Sequence, residues 1–262
     1  MWHNLAQLPR YRGLIHSLVA RELKARYRGS ILGFFWSFVN PLMLLLIYNF
    51  VFTYLLANRT EGIQPYALFM FAGLLPWTWF SSALNESAGV LISGGNLIKK
   101  VLFPAEVLPI VSVLANMVHF FLGLPILAAF LIWFQHVPDL ADLAWFPVVI
   151  LVQLVFTTGL ALLLSALTVH FRDIRDLLAN VLTFWFFATP IIYAYTQFRE
   201  YKFWFDINPF THLAISYQEL LFFNGPFGHW RWLVALGVAS VGLFLAGYWV
   251  FDRLRDSFAE AV

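Results

Sequence analysis

Apolar residues occupy most of this chain, in stretches long enough to cross a lipid bilayer. A membrane helix needs roughly 20 mainly apolar residues. Six segments answer to that pattern: residues 32–56, 66–90, 107–134, 144–169, 178–195 and 232–252. The second and third are joined by a short polar elbow, SGGNLIKK followed by PAEVLP. Between the fifth and sixth lies a mixed stretch, 196–231, in which NPF (208–210) and NGPFG (224–228) enclose the run HLAISYQELLFF. That run is too short and too polar to cross. It predicts a helix that lies in the interface or dips in and returns, which is allowed where protein buries the backbone.

Ahead of the first span, LIHSLVARELKARYR (14–28) predicts an amphipathic helix. Ile15, Val19, Leu23 and Tyr27 recur at every fourth position with Leu14 and Leu18 beside them, while Arg21, Lys24 and Arg28 fall on another face. Glu22 and Arg26 have the spacing of an i,i+4 ion pair, worth ~0.3 kcal/mol. The cationic face suits anionic headgroups. It serves equally well as a topology signal or as a docking surface for a partner on the same side. Gly29, Ser30 and Gly33 would let the chain turn into the first span.

Charge sets the orientation. Six spans place both termini on one side. That side carries Arg10, Arg12, Arg21, Lys24, Arg26, Arg28, Lys99, Lys100, Arg172, Arg175, Arg253 and Arg255, 12 in all, against four (Arg59, Arg199, Lys202, Arg231) on the other. Cytoplasmic loops are enriched in Lys and Arg, so both termini are expected in the cytoplasm.

Composition agrees. The chain is 61% apolar and 11% charged, against about 25% charge in a typical soluble domain. So few charges cannot cover a water-facing surface, and the chain reads as an all-α integral membrane protein. The formal net charge of +2 gives no reason to expect a nucleic-acid partner. With no cysteine there are no disulfides, thiolate metal sites or cysteine nucleophiles. The N-terminus lacks a short apolar core followed by a small-residue cleavage site, so no cleaved signal peptide is expected.

Catalytic signatures are missing from the sequence. There is no GxxxxGK[ST] phosphate loop, no HExxH and no GxSxG elbow. GGNLIKK (94–100) has the wrong spacing and no preceding strand. The seven histidines are scattered. Glu86, late in the second span, is either an intramembrane charge, which is a functional hypothesis by default, or a residue near the cytoplasmic surface. HFRDIRDLL (170–178) reads as a solvated helix end with local ion pairs of small energy. Aromatic residues are the positive signal, at 19% of the chain with 29 Phe. Several fall in runs inside spans: FFW (34–36), FWFF (184–187), Tyr193 and Tyr195. Aromatic faces can stack on the CH surfaces of sugars without fixed hydrogen bonds, which a sliding polymer requires. Each of them could equally face lipid or pack against a helix.

The stretch RELKARYRGSILGFFWSFVNPLMLLLIYNFVF resembles the entry of the membrane subunit of ABC-2 type polysaccharide exporters, the family that moves O-antigen and teichoic acid. Further matches follow in order over nearly the whole chain: GLLPWTWFSSAL (73–84), NLIKKVLFPAEVLP (96–109), HFRDIRDLL (170–178), ATPIIYAY (188–195) and INPFTHL (207–213). The resemblance implies one permease domain over 1–262. It would have six transmembrane helices, an N-terminal interfacial helix (14–30), a coupling helix (93–106) and short external re-entrant helices (196–231). It implies a homodimer in the bacterial inner membrane that works with two copies of a separate cytoplasmic ATPase. That partner would bind ATP and Mg2+, and this chain would hold no cofactor. ATPase contacts are expected from Arg21, Glu22, Lys24, Arg26 and Arg28 on the basic helix and from Lys99, Lys100, Phe103, Pro104 and Glu106 on the elbow. Phe34, Trp36, Tyr48, Phe52, Trp185, Phe187 and Tyr193 are the expected channel lining for a lipid-linked polysaccharide. Where many relatives carry a Tyr/Phe-Arg pair after the Asn-Pro motif, this chain has Tyr217-Gln218. Two other functions remain open at this point. One is an ABC-2 exporter of a drug or small lipid. The other is a membrane-embedded transferase using Asp139/Asp142 or Asp173/Asp176.

Overall fold

The computed structural model describes residues 8–26, 28–31, 33–51, 54, 63–99, 103–136, 138–223 and 225–261. Tyr27, Phe52, Arg59 and Lys100 lie outside the described residues, as do the side chains of Phe34 and Arg199. Regular structure among the described residues is entirely helical. In chain order it runs α1 (Arg12–Arg26), α2 (Trp36–Phe50), α3 (Tyr66–Ser93), the short α4 (Gly95–Ile98) and α5 (Val107–Trp133). It continues through α6 (Leu140–Leu143), α7 (Phe146–His170), α8 (Asp173–Phe187), α9 (Lys202–Ile207), α10 (Pro209–Leu221) and α11 (Trp230–Ala261).

Four stretches are long and apolar enough to cross a bilayer: Tyr66–Ser93, Val107–Trp133, Ala141–His170 and Trp230–Phe258. They correspond to the predicted second, third, fourth and sixth spans. The helices at the first and fifth predicted spans, α2 and α8, have 15 residues each. At 1.5 Å per residue each covers about 22 Å of a hydrocarbon core about 30 Å thick. α8 also begins five residues ahead of the predicted start at 178 and stops at Phe187, because Pro190 cannot donate an amide hydrogen and disfavours helical geometry at Thr189. The charged stretch after α7 is therefore the first turn of α8. Asp173 and Asp176 lie there, where carboxylates complement the helix dipole.

α3 is the most enclosed of the long helices and α11 the least. Within hydrocarbon there is little hydrophobic drive between helices, so close packing and hydrogen bonds hold the bundle. Phe80 stacks on Phe156 of α7 at 5.7 Å, and Trp79 meets Phe120 of α5 at 5.3 Å. Trp77 stands edge-on to Phe210 of α10 at 4.8 Å. Ring pairs of this kind are worth about 1 kcal/mol each beyond the area they bury. Polar side chains add donors to backbone carbonyls. Trp79 Nε1 donates to Val113 O at 3.1 Å, and the buried Gln153 of α7 donates to Pro76 O at 2.9 Å.

The region between α8 and α11 is folded back into the bundle. α10 has 13 residues, too few to cross, and Phe210 to Gln218 are buried. Asn208 organises it. Its Oδ1 caps α10 by accepting from Phe210 N at 3.0 Å, which suits an Asn N-cap with proline at the first helical position. The same oxygen accepts from Trp185 Nε1 at 2.7 Å, while Nδ2 donates to Ala188 O at 3.1 Å and to Thr189 Oγ1 at 2.9 Å. One amide thus closes both the broken end of α8 and the start of α10. At the far end, Glu219 accepts from the backbone amides of Gly228 and His229, each at 3.0 Å.

α7 and α11 form the closest crossing. A Cβ added to Gly159 would sit 2.8 Å from the backbone of Phe244, and one added to Gly247 would collide with the carbonyl of Gly159. Gly242, on the same helix, has open space around it. Gly159→Ala should therefore lower stability by about 1–3 kcal/mol, as overpacking does, and Gly242→Ala should not. Thermal unfolding in detergent compares the two.

Two histidines meet beside α10. His212 Nε2 lies 3.0 Å from the carbonyl of Asp206, so that nitrogen carries the proton and donates. Nδ1 of His212 then accepts from His229 Nε2, also 3.0 Å away. Trp232 stacks on His212 at 4.7 Å. Burial, and next the neighbouring His212, hold His229 down to about 4, against a weaker opposing pull from Asp206. The unfolded chain takes up this proton near the ordinary value of about 6.5, whereas the folded chain refuses it until about pH 4. Stability should thus fall as pH drops through that window and level off below it. Thermal unfolding across pH 7 to 4 should show this loss, and H229Q should reduce it.

Candidate functional site

Two surfaces answer to the sequence expectations. The first lies at the end of the bundle that carries the elbow. α1 is anchored by Leu18, with Tyr11, Leu14, Ile15 and Val19 around it, against Val107 and Val111 of α5 and Phe103 of the elbow. The buried centre of its apolar face is Leu18, one position away from the stripe through Ile15 and Val19. Arg21, Lys24 and Arg28 are exposed. Arg26 is engaged inside the chain. Its Nη2 pairs with Glu86 Oε1 of α3, and its Nη1 donates to Asn116 Oδ1 of α5 at 3.3 Å. The ion pair recorded for Arg26 is thus with Glu86, and not with Glu22 four residues before it.

The elbow is a tight turn. α3 ends at Ser93, Gly94 packs so closely that a Cβ would lie 2.7 Å from Leu108, and among the described residues after Ser93 the predicted coupling segment holds the single helical turn α4. Lys99 is exposed. Pro104 and Glu106 point inward. Glu106 is 2% exposed and its Oε1 lies 3.6 Å from Arg255 Nη1 of α11. Phe103 is half-buried between the α1 contact and the cluster that joins α3, α7 and the end of α11. Three of the elbow residues expected to meet a partner therefore brace the turn from within, while Lys99 projects. α1 and the elbow also share a wall: Arg21, Glu22, Asn96 and Leu97 line one cavity of about 530 Å3. Arg175, from the first turn of α8, reaches this cavity across the open side of Gly89.

The second candidate region comprises α2 and α8, each of which contacts α3. α2 leaves Met43, Leu46, Ile47 and Phe50 exposed, and Phe35 precedes them. α8 leaves Leu177, Val181, Phe184 and Phe187 exposed, while only Leu178 and Leu182 are buried. Trp36 lies at the edge of this face, its Nε1 donating to Ser30 Oγ at 3.0 Å. It lines a cavity of about 550 Å3 between α2, α3 and α5, with Asn40, Thr78, Asn116 and His119. Tyr48 is half-buried against the central cluster. Trp185 turns toward the core, edge-on to Phe80 at 5.2 Å and with its indole hydrogen on Asn208. Tyr193 donates to the carbonyl of Phe187 at 2.8 Å and its ring lies 5.8 Å from Phe205. Of the expected channel residues that are described, Phe187 and Trp36 are thus the two on the open face. Phe35 and Phe184, which the sequence reading passed over, are exposed there too. Helical phase groups Phe184 with Leu177 and Val181, but Leu178, Leu182 and Trp185 share the same spacing and turn to the core, so phase alone does not say which stripe is open.

Comparison with known proteins fits these features. The model of the ABC-2 type transporter family matches residues 13–222. The chain is 40% identical over 259 residues to the O-antigen export system permease protein RfbA of Myxococcus xanthus, covering 98% of each chain. It is 33% identical over 248 residues to the protein of the same name from Klebsiella pneumoniae, covering 94% of each. The polysialic acid transport protein KpsM of Escherichia coli is 24% identical over 218 residues, 78% of this chain and 80% of that one. A family match over most of the chain and relatives of this identity over nearly its full length lead to one assignment: the chain belongs to the ABC-2 type transporter family.

Proposed function

We propose that the chain is the membrane subunit of an ATP-driven exporter that carries a lipid-linked polysaccharide, such as O-antigen or teichoic acid, across the bacterial inner membrane. The observation that carries this reading is the near full-length relatedness to O-antigen export permeases. In this reading α2 and α8, with the residues that follow each, make two further crossings and complete six passes. Both termini lie in the cytoplasm, in keeping with the 12 basic residues on that side. α10 and its flanking turns form the re-entrant region on the outer side.

The sequence holds no phosphate loop, so ATP and Mg2+ belong to a separate ATPase. Two copies of that ATPase serve two copies of this chain. Arg21, Lys24, Arg28 and Lys99 form the contact, with Glu22 at its edge. The shared cavity supports this, since one partner can press on α1 and the elbow together. Pro104, Glu106 and Phe103 keep the elbow stiff enough to pass on the push. The second copy covers the open faces of α2 and α8, and the glycan runs between them along Phe35, Trp36, Phe184 and Phe187. Weak stacking lets successive sugars slide. The pull of ATP-driven closure enters at the elbow end, and no bond is made or broken in this chain.

The two alternative functions have less behind them. The relatives are named for O-antigen and polysialic acid, which favours a polymer over a drug or small lipid. Asp139, one of the acids a transferase would use, is occupied as the N-cap of α6, accepting from Ala141 N at 2.9 Å.

Co-purification and export assays separate the parts. Reversing the charge at both Arg21 and Lys99 should reduce co-purified ATPase by about tenfold, because like charges across an interface are strongly penalised. F184A and F187A together should lower glycan export with ATPase binding unchanged. W185A should instead lower thermal stability by about 3 kcal/mol, the cost of removing a large packed ring. Full ATPase binding after charge reversal would move the docking surface elsewhere.

A further inference from the structure

Arg26, Glu86 and Asn116 form a closed polar triangle between three helices. Arg26 pairs through Nη2 with Glu86 Oε1 and through Nη1 with Asn116 Oδ1 at 3.3 Å. Asn116 Nδ2 returns to Glu86 Oε2 at 2.6 Å and also donates to Ser112 O of its own helix at 2.9 Å. Each member thus bonds to both others. Asn116 is buried, whereas the Arg26 and Glu86 side chains keep 28% and 35% of their exposure. A half-exposed ion pair adds little to stability by itself, so stability is a poor reason for its presence late in an apolar helix.

Its placement suggests another role. α1 grips α5 through its apolar face. Between α1 and α3 lies the 530 Å3 cavity, with Leu18, Arg21 and Glu22 on one wall and Asn85, Gly89 and Ser93 on the other. Arg26 reaches across the end of this gap to Glu86. On the far side of the triangle begins the second cavity, lined by Trp36, Asn40 and His119. The covalent route from α1 to the bundle passes through two glycines. Gly29 and Gly33 both take positive φ, 79° and 50°, with open space around them, a geometry suited to bending. A displacement of α1 would be absorbed at these glycines before it reached α2. The triangle offers the stiffer path, straight to α3 and α5.

We propose that Arg26, Glu86 and Asn116 act as a latch that passes displacement of the N-terminal helix to α3 and α5, and so sets how tightly ATP turnover is coupled to glycan movement. Glu86 and Asn116 are positioning residues in this scheme. They touch neither ATP nor glycan, and they act by fixing Arg26 and with it the end of α1. The inference rests on the reading that α1 and the elbow face the ATPase.

The test uses the full chain with its ATPase in proteoliposomes, and reads glycan exported per ATP hydrolysed. E86Q keeps the shape and removes the charge. N116L removes all three side-chain hydrogen bonds of the asparagine. Each should leave ATP turnover within twofold of the parent and cut glycan moved per ATP at least fivefold, and E86D should recover at least half of the parental ratio. A structural role alone would lower protein yield and leave this ratio intact. If E86Q and N116L both keep the ratio within twofold, the latch is wrong. If neither accumulates in the membrane, the triangle is needed for folding and the coupling role is likewise overturned. ATPase co-purification with K99E is measured alongside. Lost binding in K99E with an unchanged ratio in E86Q upholds the docking surface and rejects the latch. Retained binding in K99E with a lowered ratio in E86Q upholds the coupling role of the triangle and moves the ATPase contact off Lys99.

Discussion

A backbone carbonyl freed inside hydrocarbon must find a donor, because no water is there to supply one. This constraint governs where the chain places its few polar side chains. Where α8 breaks ahead of Pro190, Asn208 donates to Ala188 O, and Gln218 donates to Pro190 O at 2.9 Å. Tyr66 donates to Ile192 O in the same turn. Inside α3 and α5, the helical carbonyls of Pro76 and Val113 each take an additional side-chain donor, from Gln153 and Trp79 respectively, which ties α7 to α3 and α3 to α5. The aromatic core fits around these fixed points. Trp77, Phe80 and Phe210 converge because Asn208 and Gln218 hold α10 against α3.

Two of the apolar helices are less buried than the others. α3, α5, α7 and α11 are knitted by rings and, at the α7–α11 crossing, by glycines that let the backbones touch. α2 and α8 bury only two residues each among those described. They are short, each ends near a break or a glycine turn, and much of their apolar surface is open. A transporter needs elements of this kind. Loosely packed helices can shift without dismantling the core, and the less protected parts of a fold are those that move in function.

Much of this was legible in the sequence, and for identifiable reasons. α3, α5, α7 and α11 announce themselves by length and hydropathy, and α1 by its alternating basic and apolar positions. α10 was recognisable as too short to cross, since HLAISYQELLFF is bounded by NPF and NGPFG. What was hidden were the choices among chemically equivalent residues. Trp185 and Phe187 stand two apart, which on a helix is a turn of about 200°, so one faces the core and the other is exposed. Composition cannot say which. The partner of Arg26 was hidden for another reason: Glu22 satisfied the local rule, whereas Glu86 lies 60 positions away and is found only by folding. Glu106 was expected as a partner contact at the end of the coupling helix, but the end of α11 comes back over it.

Position 218 shows how such choices constrain specificity. The family resemblance leads one to expect arginine there, and this chain has Gln218. The amide is 2% exposed and closes the break at Pro190, and its Nε2 would be 3.1 Å from a Cβ at Gly73. Glutamine satisfies the carbonyl with a neutral donor in a site too tight for a longer side chain. A guanidinium in the same place would be a buried charge and would require a carboxylate or a phosphate beside it. Its neighbour Glu219 is already held by the amides of Gly228 and His229. Gln218 thus serves this chain as a neutral brace across the break at Pro190.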